Sequence, residues 1–222
     1  MPLFTVSESR IRYSDSPADS ASYTREMDRM YNWMSSLYDG FMVVFPLWKK
    51  WISSVLPEIK GTEILEVSFG PGYLMSRYGT NPDLQIHGID FNSRMVDRAT
   101  KKMQRIKRPV ELRKGNVESL PYRDESFDTV INTMALTGYP DAEKAMDEML
   151  RVLRPGGRLL IVDFDYPANR NRGGYILVRI MAGLGDIIRD LKSLLHRKDL
   201  HVTSRSVGGF GSVQLFVCDK IR

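Results

Sequence analysis

The sequence predicts an α/β fold: a doubly wound, mostly parallel sheet that ends in an antiparallel hairpin and follows a helical N-terminal segment. Three observations predict it. From residue 58 onward, short apolar strand-like runs alternate with helix-like segments, and repeated β-α-β units require parallel strands with helices on both faces. The last two strand-like runs are joined only by Gly208-Gly209-Phe210-Gly211, too short a link for a crossover, so they pair antiparallel. Upstream of Pro57 the pattern is helical and rich in aromatics. The chain of 222 residues fits one domain at 58–222, preceded by an arm and helical lid at 1–57, with no internal repeat.

Residues 1–20 are polar, contain Pro17 and read as a flexible arm. Tyr23, Met27, Met30, Tyr31, Met34 and Tyr38 form one helical stripe, and an aromatic-rich segment runs from Phe41 to Leu56. Glu63–Val67 is the first strand, followed by the turn Ser68–Gly72 and a helix over Tyr73–Tyr78 that Gly79, Asn81 and Pro82 end. Gln85–Ile89 is the second strand, ending at Asp90, and Ser93 is placed to cap a helix running to Ile106. Val110–Arg113 is the third strand, leading to Gly115 and Asn116, and Phe127–Asn132 is the fourth. Asp141–Leu153 is a helix stopped by Pro155-Gly156-Gly157, and Arg158–Phe164 is the fifth strand. Tyr175–Leu195 reads as one long amphipathic helix, and His201–Val207 and Ser212–Cys218 are the hairpin strands.

Hydrophobic residues at 42% and charged residues at 27% match a globular protein with a full core. The lone cysteine, Cys218, excludes an intramolecular disulfide and a cysteine-based metal framework, no metal site is expected, and a reducing, cytoplasmic setting follows. The first residues lack a basic stretch followed by an apolar core, so no secretory signal is expected. No apolar run approaches the roughly 20 residues that span a bilayer. A net charge of +5 admits acidic partners without requiring them.

The stretch Glu66–Gly72, E-V-S-F-G-P-G, carries the chemistry. Gly70 and Gly72 permit positive φ and close approach of backbone to a ligand, although a tight strand-to-helix turn needs glycine for geometry alone. A dinucleotide fingerprint wants a third glycine three positions on, where Met75 stands. A pyrophosphate would be opposed by Glu66, whereas a cationic amino group would be welcomed by it. A Walker phosphate loop needs Gly-Lys-Ser/Thr, which does not follow. Asp90, at the end of the second strand, can accept both ribose hydroxyls or, alternatively, cap the next helix. The pattern points to a nucleoside carrying positive charge.

These residues resemble class I S-adenosylmethionine-dependent methyltransferases. T-E-I-L-E-V-S-F-G-P-G-Y-L is similar to their first motif and H-G-I-D-F-N-S-R-M to their acidic second-strand motif. G-N-V-E-S-L-P-Y resembles the segment over the adenine, F-D-T-V-I-N the fourth strand and L-R-P-G-G-R-L-L-I the approach to the fifth, all in order across about residues 60–165. L-Y-D-G-F upstream and G-G-F-G-S-V-Q-L-F near the end resemble the ubiquinone/menaquinone-biosynthesis methyltransferase group. The resemblance implies a Rossmann-like fold, S-adenosylmethionine as cofactor and a small or lipid-like acceptor. It assigns Glu66 and the backbone of Ser68, Phe69, Gly70, Pro71 and Gly72 to the methionine part. It gives Asp90 to the ribose, Phe91 and Met95 to packing on the adenine, Asn116 and Val117 to its edge, and Asn132 and Thr133 to the methionine side. Ser68 stands where the family has glycine, and Asn116 where it has aspartate.

Methyl transfer from a sulfonium is an in-line displacement in which the protein supplies alignment and excludes water. An oxygen or carbon acceptor needs a proton removed, whereas an amine need only be neutral. Candidates for that step are Tyr139, Asp165 and Tyr166 near the strand ends and Tyr23, Tyr31 and Tyr38 from the N-terminal segment, each reading first as packing or pocket wall. His87, mid-strand before Gly88, reads as structural. Trp33, Trp48 and Trp51 suit a lid over a hydrophobic acceptor. The 175–195 helix, with Arg170, Arg172, Arg179, Arg189 and Lys192 at its edge, reads as a sheet-covering helix, with peripheral contact to an anionic membrane as the alternative. A nucleic-acid or protein substrate is disfavoured, because Asn132-Thr133-Met134-Ala135 replaces an Asn/Asp-Pro-Pro-Tyr-type motif. A non-catalytic cofactor-binding regulator is the third reading.

Overall fold

The computed structural model describes residues 6, 7, 11–14, 17, 19, 23, 29, 46–196 and 199–221. The Tyr23–Tyr38 stripe, L-Y-D-G-F and the start of the aromatic segment fall outside them, apart from Tyr23 and Arg29. A short helix α1 (Pro46–Ile52) and a 3-10 turn over Ser53–Glu58 lead into β1 (Glu63–Val67), α2 (Tyr73–Tyr78), β2 (Gln85–Asp90), α3 (Ser93–Arg105) and β3 (Glu111–Lys114). Then follow β4 (Phe127–Thr133), α4 (Ala142–Val152), β5 (Leu153–Phe164), α5 (Arg172–Gly183), α6 (Leu191–Leu195), β6 (Leu200–Gly208) and β7 (Val213–Lys220).

The strands form one seven-stranded sheet in the order β3-β2-β1-β4-β5-β7-β6. β1 to β5 pair parallel, and β7 lies between β5 and β6, antiparallel to both. The short 208–211 link dictates this reversal. The order turns back between β1 and β4, so the carboxyl ends of β1, β2 and β4 face one crevice. Leu159, Leu160, Ile161 and Val162 of β5 are buried on both faces, as a central strand covered by helices requires. Alternate residues divide between two cores: Leu159 and Ile161 pack with α4, Leu160 and Val162 with α2 and α5.

Four local expectations change. The cap of α3 is Asn92, whose Oδ1 accepts from the Arg94 and Met95 amides at 3.0 and 3.2 Å, so Ser93 is the first helical residue. The 175–195 helix is two: α5 ends at Gly183, Gly185 takes φ 111°, and Asp190 caps α6 through Ser193. The apolar spacing continues across this break because Ile187, Ile188 and Leu191 remain buried, which is why periodicity alone hides it. Pro155-Gly156-Gly157 lies within β5, where the register against β4 shifts, instead of following a helix as a loop. The described residues of the 1–20 segment do not stand free: the Val6 and Ser14 amides donate to Arg170 and Ile188 carbonyls at 2.9 and 2.6 Å, and Ile11 packs on the core. Among the described residues, no helix is long and apolar enough to cross a membrane.

The sheet end opposite the crevice is tied by Asp128 of β4. Its Oδ2 accepts from the Thr62 and Glu63 amides at 2.9 and 3.0 Å, and its Oδ1 from Arg154 Nη1 at 2.6 Å. Burial would raise this carboxyl, but the two amides and the guanidinium outweigh burial and hold it below the usual carboxylate range. Asp128→Ala should therefore cost about 2 kcal/mol in urea unfolding. Because the folded-state pKa is depressed, that stabilisation is present above the unfolded value and lost as pH falls through the folded one. The gap between wild type and variant should shrink below about pH 4.

Candidate active site

A cavity of about 360 Å³ opens at the carboxyl ends of β1, β2 and β4. The loop that leaves β1 forms one wall. Ser68, Gly70 and Gly72 all adopt left-handed backbone, with φ of 51°, 54° and 71°. At Gly72 a side chain would also come within 2.9 Å of Ala99 Cβ, so this glycine lets α3 pack against the loop rather than a ligand approach it. Ser68 has no such clash to avoid, and its left-handed backbone costs about 1 kcal/mol. Its Oγ lies 2.7 Å from the Tyr139 hydroxyl. Asn132 Nδ2 donates to that same hydroxyl at 2.7 Å, and in the Ser68–Tyr139 pair either hydroxyl can be the donor. Asn132 Oδ1 is buried and accepts no hydrogen bond among the described residues.

Two carboxylates stand at this end. Glu66 is buried, 1% exposed, and Tyr78 donates to its Oε2 at 2.9 Å. Burial pushes its pKa up to about 8, against the Tyr78 hydrogen bond and with the Asp90 charge adding to the rise. Near neutrality it is mostly protonated, and an arriving cation would favour its ionised form. Asp90 Oδ2 accepts from the Gly70 amide at 2.8 Å and Oδ1 from the Asn92 amide at 2.9 Å. Helix capping belongs to Asn92, so Asp90 has no part in it. Phe91 presents a ring 43% exposed, and Met95 is buried behind it. Asn116 is exposed and Val117 buried, and Asn116 Oδ1 already accepts from the Glu118 amide at 3.0 Å.

The other end of the cavity is apolar, formed by Trp48, Ile52, Phe164, Met181 and Leu184. Trp48 and Trp51 pack on Phe164 with ring centroids 6.0 and 6.4 Å away, and a side chain at Gly208 would collide with the Trp51 indole. Both glycine and tryptophans thereby hold α1 over the crevice. Thr137 also lines this region, but its amide and hydroxyl donate to buried Asp163 at 3.1 and 3.0 Å.

The cavity brings together Glu66, Ser68, Phe69, Gly70, Pro71, Asp90, Phe91, Met95, Asn116, Val117, Thr133 and Tyr139. Gly72 and Asn132 sit behind the wall, reached through Ala99 and Tyr139 respectively. Burial drives the Tyr139 hydroxyl well above the usual tyrosine range, with the Ser68 hydrogen bond opposing, which suits a positioning group. Asp165 and Tyr166 are turned away. Asp165 accepts from the Tyr13 hydroxyl and the Tyr166 amide at 3.3 and 2.7 Å, and the Tyr166 hydroxyl donates to the Arg12 carbonyl at 2.9 Å. The Tyr23 hydroxyl donates to the Gly185 carbonyl at 2.9 Å, and Tyr31, Tyr38 and Trp33 lie outside the described residues. His87 packs edge-on against Phe127, 5.2 Å between centroids, as a structural residue does.

One residue that sequence reasoning missed, Asp186, lines the apolar end. Its only signal was the Gly183/Gly185 pair, which marks a loop within an apparent helix. Burial first, then the charge of Asp163, pushes its pKa up to about 7. Among the described residues, no cluster of three or more His, Cys, Asp and Glu could hold a metal ion.

The methyltransferase domain family matches residues 65–161. A demethylmenaquinone methyltransferase of Lactobacillus johnsonii is 33% identical over 126 residues, 55% of this chain and 52% of that protein. A ubiquinone/menaquinone biosynthesis C-methyltransferase of Hahella chejuensis is 31% identical over 143 residues, 63% of this chain and 57% of that protein. The chain thus spans little more than half the length of these curated relatives. A solved SAM-dependent methyltransferase from Thermotoga maritima superposes with a TM-score of 0.68 at 18% identity, covering 86% of this chain and 99% of that one. Residues 65–161 thus match a methyltransferase domain, and the seven-stranded sheet has the strand order of the class I S-adenosylmethionine-dependent methyltransferase fold.

Proposed function

We propose that the protein methylates a small, lipophilic acceptor, quinone-like or a lipid headgroup, with S-adenosylmethionine as donor. The observation that carries this reading is one cavity running from the Glu66 and Asp90 cradle to the apolar wall of Trp48, Phe164, Met181 and Leu184. Bound S-adenosylmethionine supplies a sulfonium methyl group open to in-line displacement. Glu66 and the backbone of residues 68–72 hold the amino-acid part, and Asn132 acts on that side through the Tyr139 hydroxyl it donates to. Asp90 binds the ribose hydroxyls while keeping Gly70 in place, and Phe91 and Met95 take the adenine between Asn116 and Val117. Since Asn116 Oδ1 already accepts one hydrogen bond, the adenine amino group has only its second lone pair.

The apolar wall, closed by α1, excludes water and favours a hydrophobic acceptor. The relatives named for demethylmenaquinone and for ubiquinone/menaquinone biosynthesis support a quinone-like one. Ile176 and Ile180 of α5 and Leu184 at its C-cap form an exposed stripe, and Leu184 also lines the cavity. That continuity supports acceptor delivery from an apolar surface, such as a membrane against which the protein docks. Methyl-labelled cofactor should mark a lipid extract and leave total RNA and protein unmarked. Label in RNA or protein alone would replace this reading with a macromolecular substrate, and label in none despite tight binding would make the chain a cofactor-binding regulator.

Two binding predictions test the cradle. Asp90→Ala should weaken S-adenosylmethionine binding by about 100-fold, as loss of charge-assisted hydrogen bonds does, whereas Ser68→Gly should change it less than about threefold. The reverse order in calorimetric affinities would overturn the assignment. Glu66 is raised to about 8 and must ionise to meet a cationic amino group. Binding at pH 7 should therefore release close to one proton, seen as a dependence of heat on buffer ionisation enthalpy. Affinity should climb from pH 6 to about 8 and then level off, and Glu66→Gln should abolish the Glu66-linked proton release.

A further inference from the structure

We propose that Asp186 takes the proton from the acceptor, and that the acceptor accordingly carries an acidic hydroxyl on an apolar ring. This rests on the methyl-transfer reading above and adds to it a base and a chemical class. The carboxylates that line the cavity, and Tyr139 beside them, differ in what they have left to offer. Glu66 is engaged by Tyr78, Asp90 by two amides, and Tyr139 by Ser68 and Asn132. Glu118 Oε1 accepts from the Asp141 amide beside Asn116, at the far end from the apolar wall. Asp186 sits among Phe164, Met181 and Leu184, and among the described residues no side chain or amide bonds its carboxylate.

Its place is held by its neighbours. The Asp186 amide donates to the Met181 carbonyl at 3.2 Å and the Ile187 amide to the Thr137 carbonyl at 2.7 Å. Arg189 donates to the Leu136, Tyr139 and Pro140 carbonyls at 3.2, 2.5 and 3.2 Å. The loop bearing Asp186 is thus bound to the segment whose Tyr139 is bonded to the β1 loop. One continuous set of hydrogen bonds fixes the base relative to the cofactor cradle, as proton transfer in step with methyl transfer requires.

Among the described residues, the charged and titratable groups around Asp186 are Asp163 from β5, Tyr23 from the N-terminal segment and Arg189 on its own loop. Asp163 opposes ionisation, and the Arg189 guanidinium is turned to three carbonyls. The result is a carboxylate that ionises near neutrality and, among the described residues, is not cancelled by a cation. An amine acceptor must be neutral, and a half-buried carboxylate would stabilise its inert ammonium form. A ring hydroxyl instead gives its proton to the carboxylate. The freed oxygen pair bonds to the methyl carbon as the carbon–sulfur bond breaks, and sulfur keeps the electrons of the broken bond and loses its positive charge. If the pair acts through a ring carbon, that carbon's hydrogen leaves as the net proton and the oxygen regains its own. One proton reaches solvent per methyl transferred.

The test uses the full chain, methyl-labelled S-adenosylmethionine, and two rings of one shape, 2-naphthol and 2-naphthylamine. The expected result is label in the naphthol, with a kcat at saturating cofactor that falls as pH drops below about 7, since the base acts only when ionised. Asp186→Asn should lose about 100-fold or more in kcat and lose the acid limb, with cofactor affinity by calorimetry unchanged. Asp186→Glu should restore part of the rate. Preference for the amine, an Asp186→Asn rate within about threefold of wild type with the same acid limb, or no label in either ring from protein that binds cofactor would each overturn the proposal. Failure to bind cofactor would instead count against the methyl-transfer reading itself.

Discussion

The site depends on how the backbone leaves β1. Within five residues it must pass through three left-handed positions, Ser68, Gly70 and Gly72, and only two of these are glycine. Left alone, such a turn would sample other conformations, because glycine is permissive in both directions. Two long-range bonds remove that freedom: the Gly70 amide to Asp90 at the end of β2, and Ser68 Oγ to Tyr139 beyond the end of β4. The neighbours of β1 on either side thus clamp its exit loop. Close packing of Ala99 under Gly72 completes the restraint by pressing α3 against it. A loop so held can present its amides to a ligand without losing much entropy on binding.

Burial of charge runs through the same region. Glu66, Asp163 and Asp186 all have pKa values raised above the ordinary carboxylate range, with burial the largest cause in each. Their roles separate by what satisfies them. Asp163 is surrounded by donors, including the Thr137 amide and hydroxyl and the Phe164 amide at 2.7 Å, and so works as a structural tie between β5 and the segment after β4. Among the described residues, Glu66 has one neutral side-chain donor, Tyr78, and stays receptive to a cation, while the Asp186 carboxylate has none. A gradient of satisfaction therefore runs from structural tie to cradle to reactive group.

Much of this was legible from residue order. The alternation that predicts five parallel strands and a hairpin is obeyed within about one residue at most strand ends, because strands buried on both faces must be continuous apolar runs. The Glu66–Gly72 loop and Asp90 were readable because their chemistry is local in sequence. Other features were not, each for a physical reason. Asn92 and Ser93 are both good caps, and only the backbone at 92 (φ −93°, ψ 118°) decides between them. Asn132 falls in line with the site residues yet is screened by Tyr139, a partner seven positions on that no periodicity connects to it.

The break between α5 and α6 is where sequence pattern and function part most clearly. A helical stripe of apolar residues is satisfied equally by one long helix or by two short ones whose joining loop buries the same side chains. What separates them is backbone demand. Gly183 and Gly185 lower helix propensity, and the Ile187 amide finds its partner in Thr137 of another segment instead of in the preceding turn. With that donor used across the chain, the segment closes on the β4 exit and turns Asp186 into the cavity. In a continuous helix, that amide would instead bond within its own turns, and the tie to Thr137 that brings the 184–190 segment against the β4 exit would be lost. The irregularity is the device that delivers a carboxylate to an otherwise apolar wall, and loops held by a rigid scaffold are where such groups concentrate.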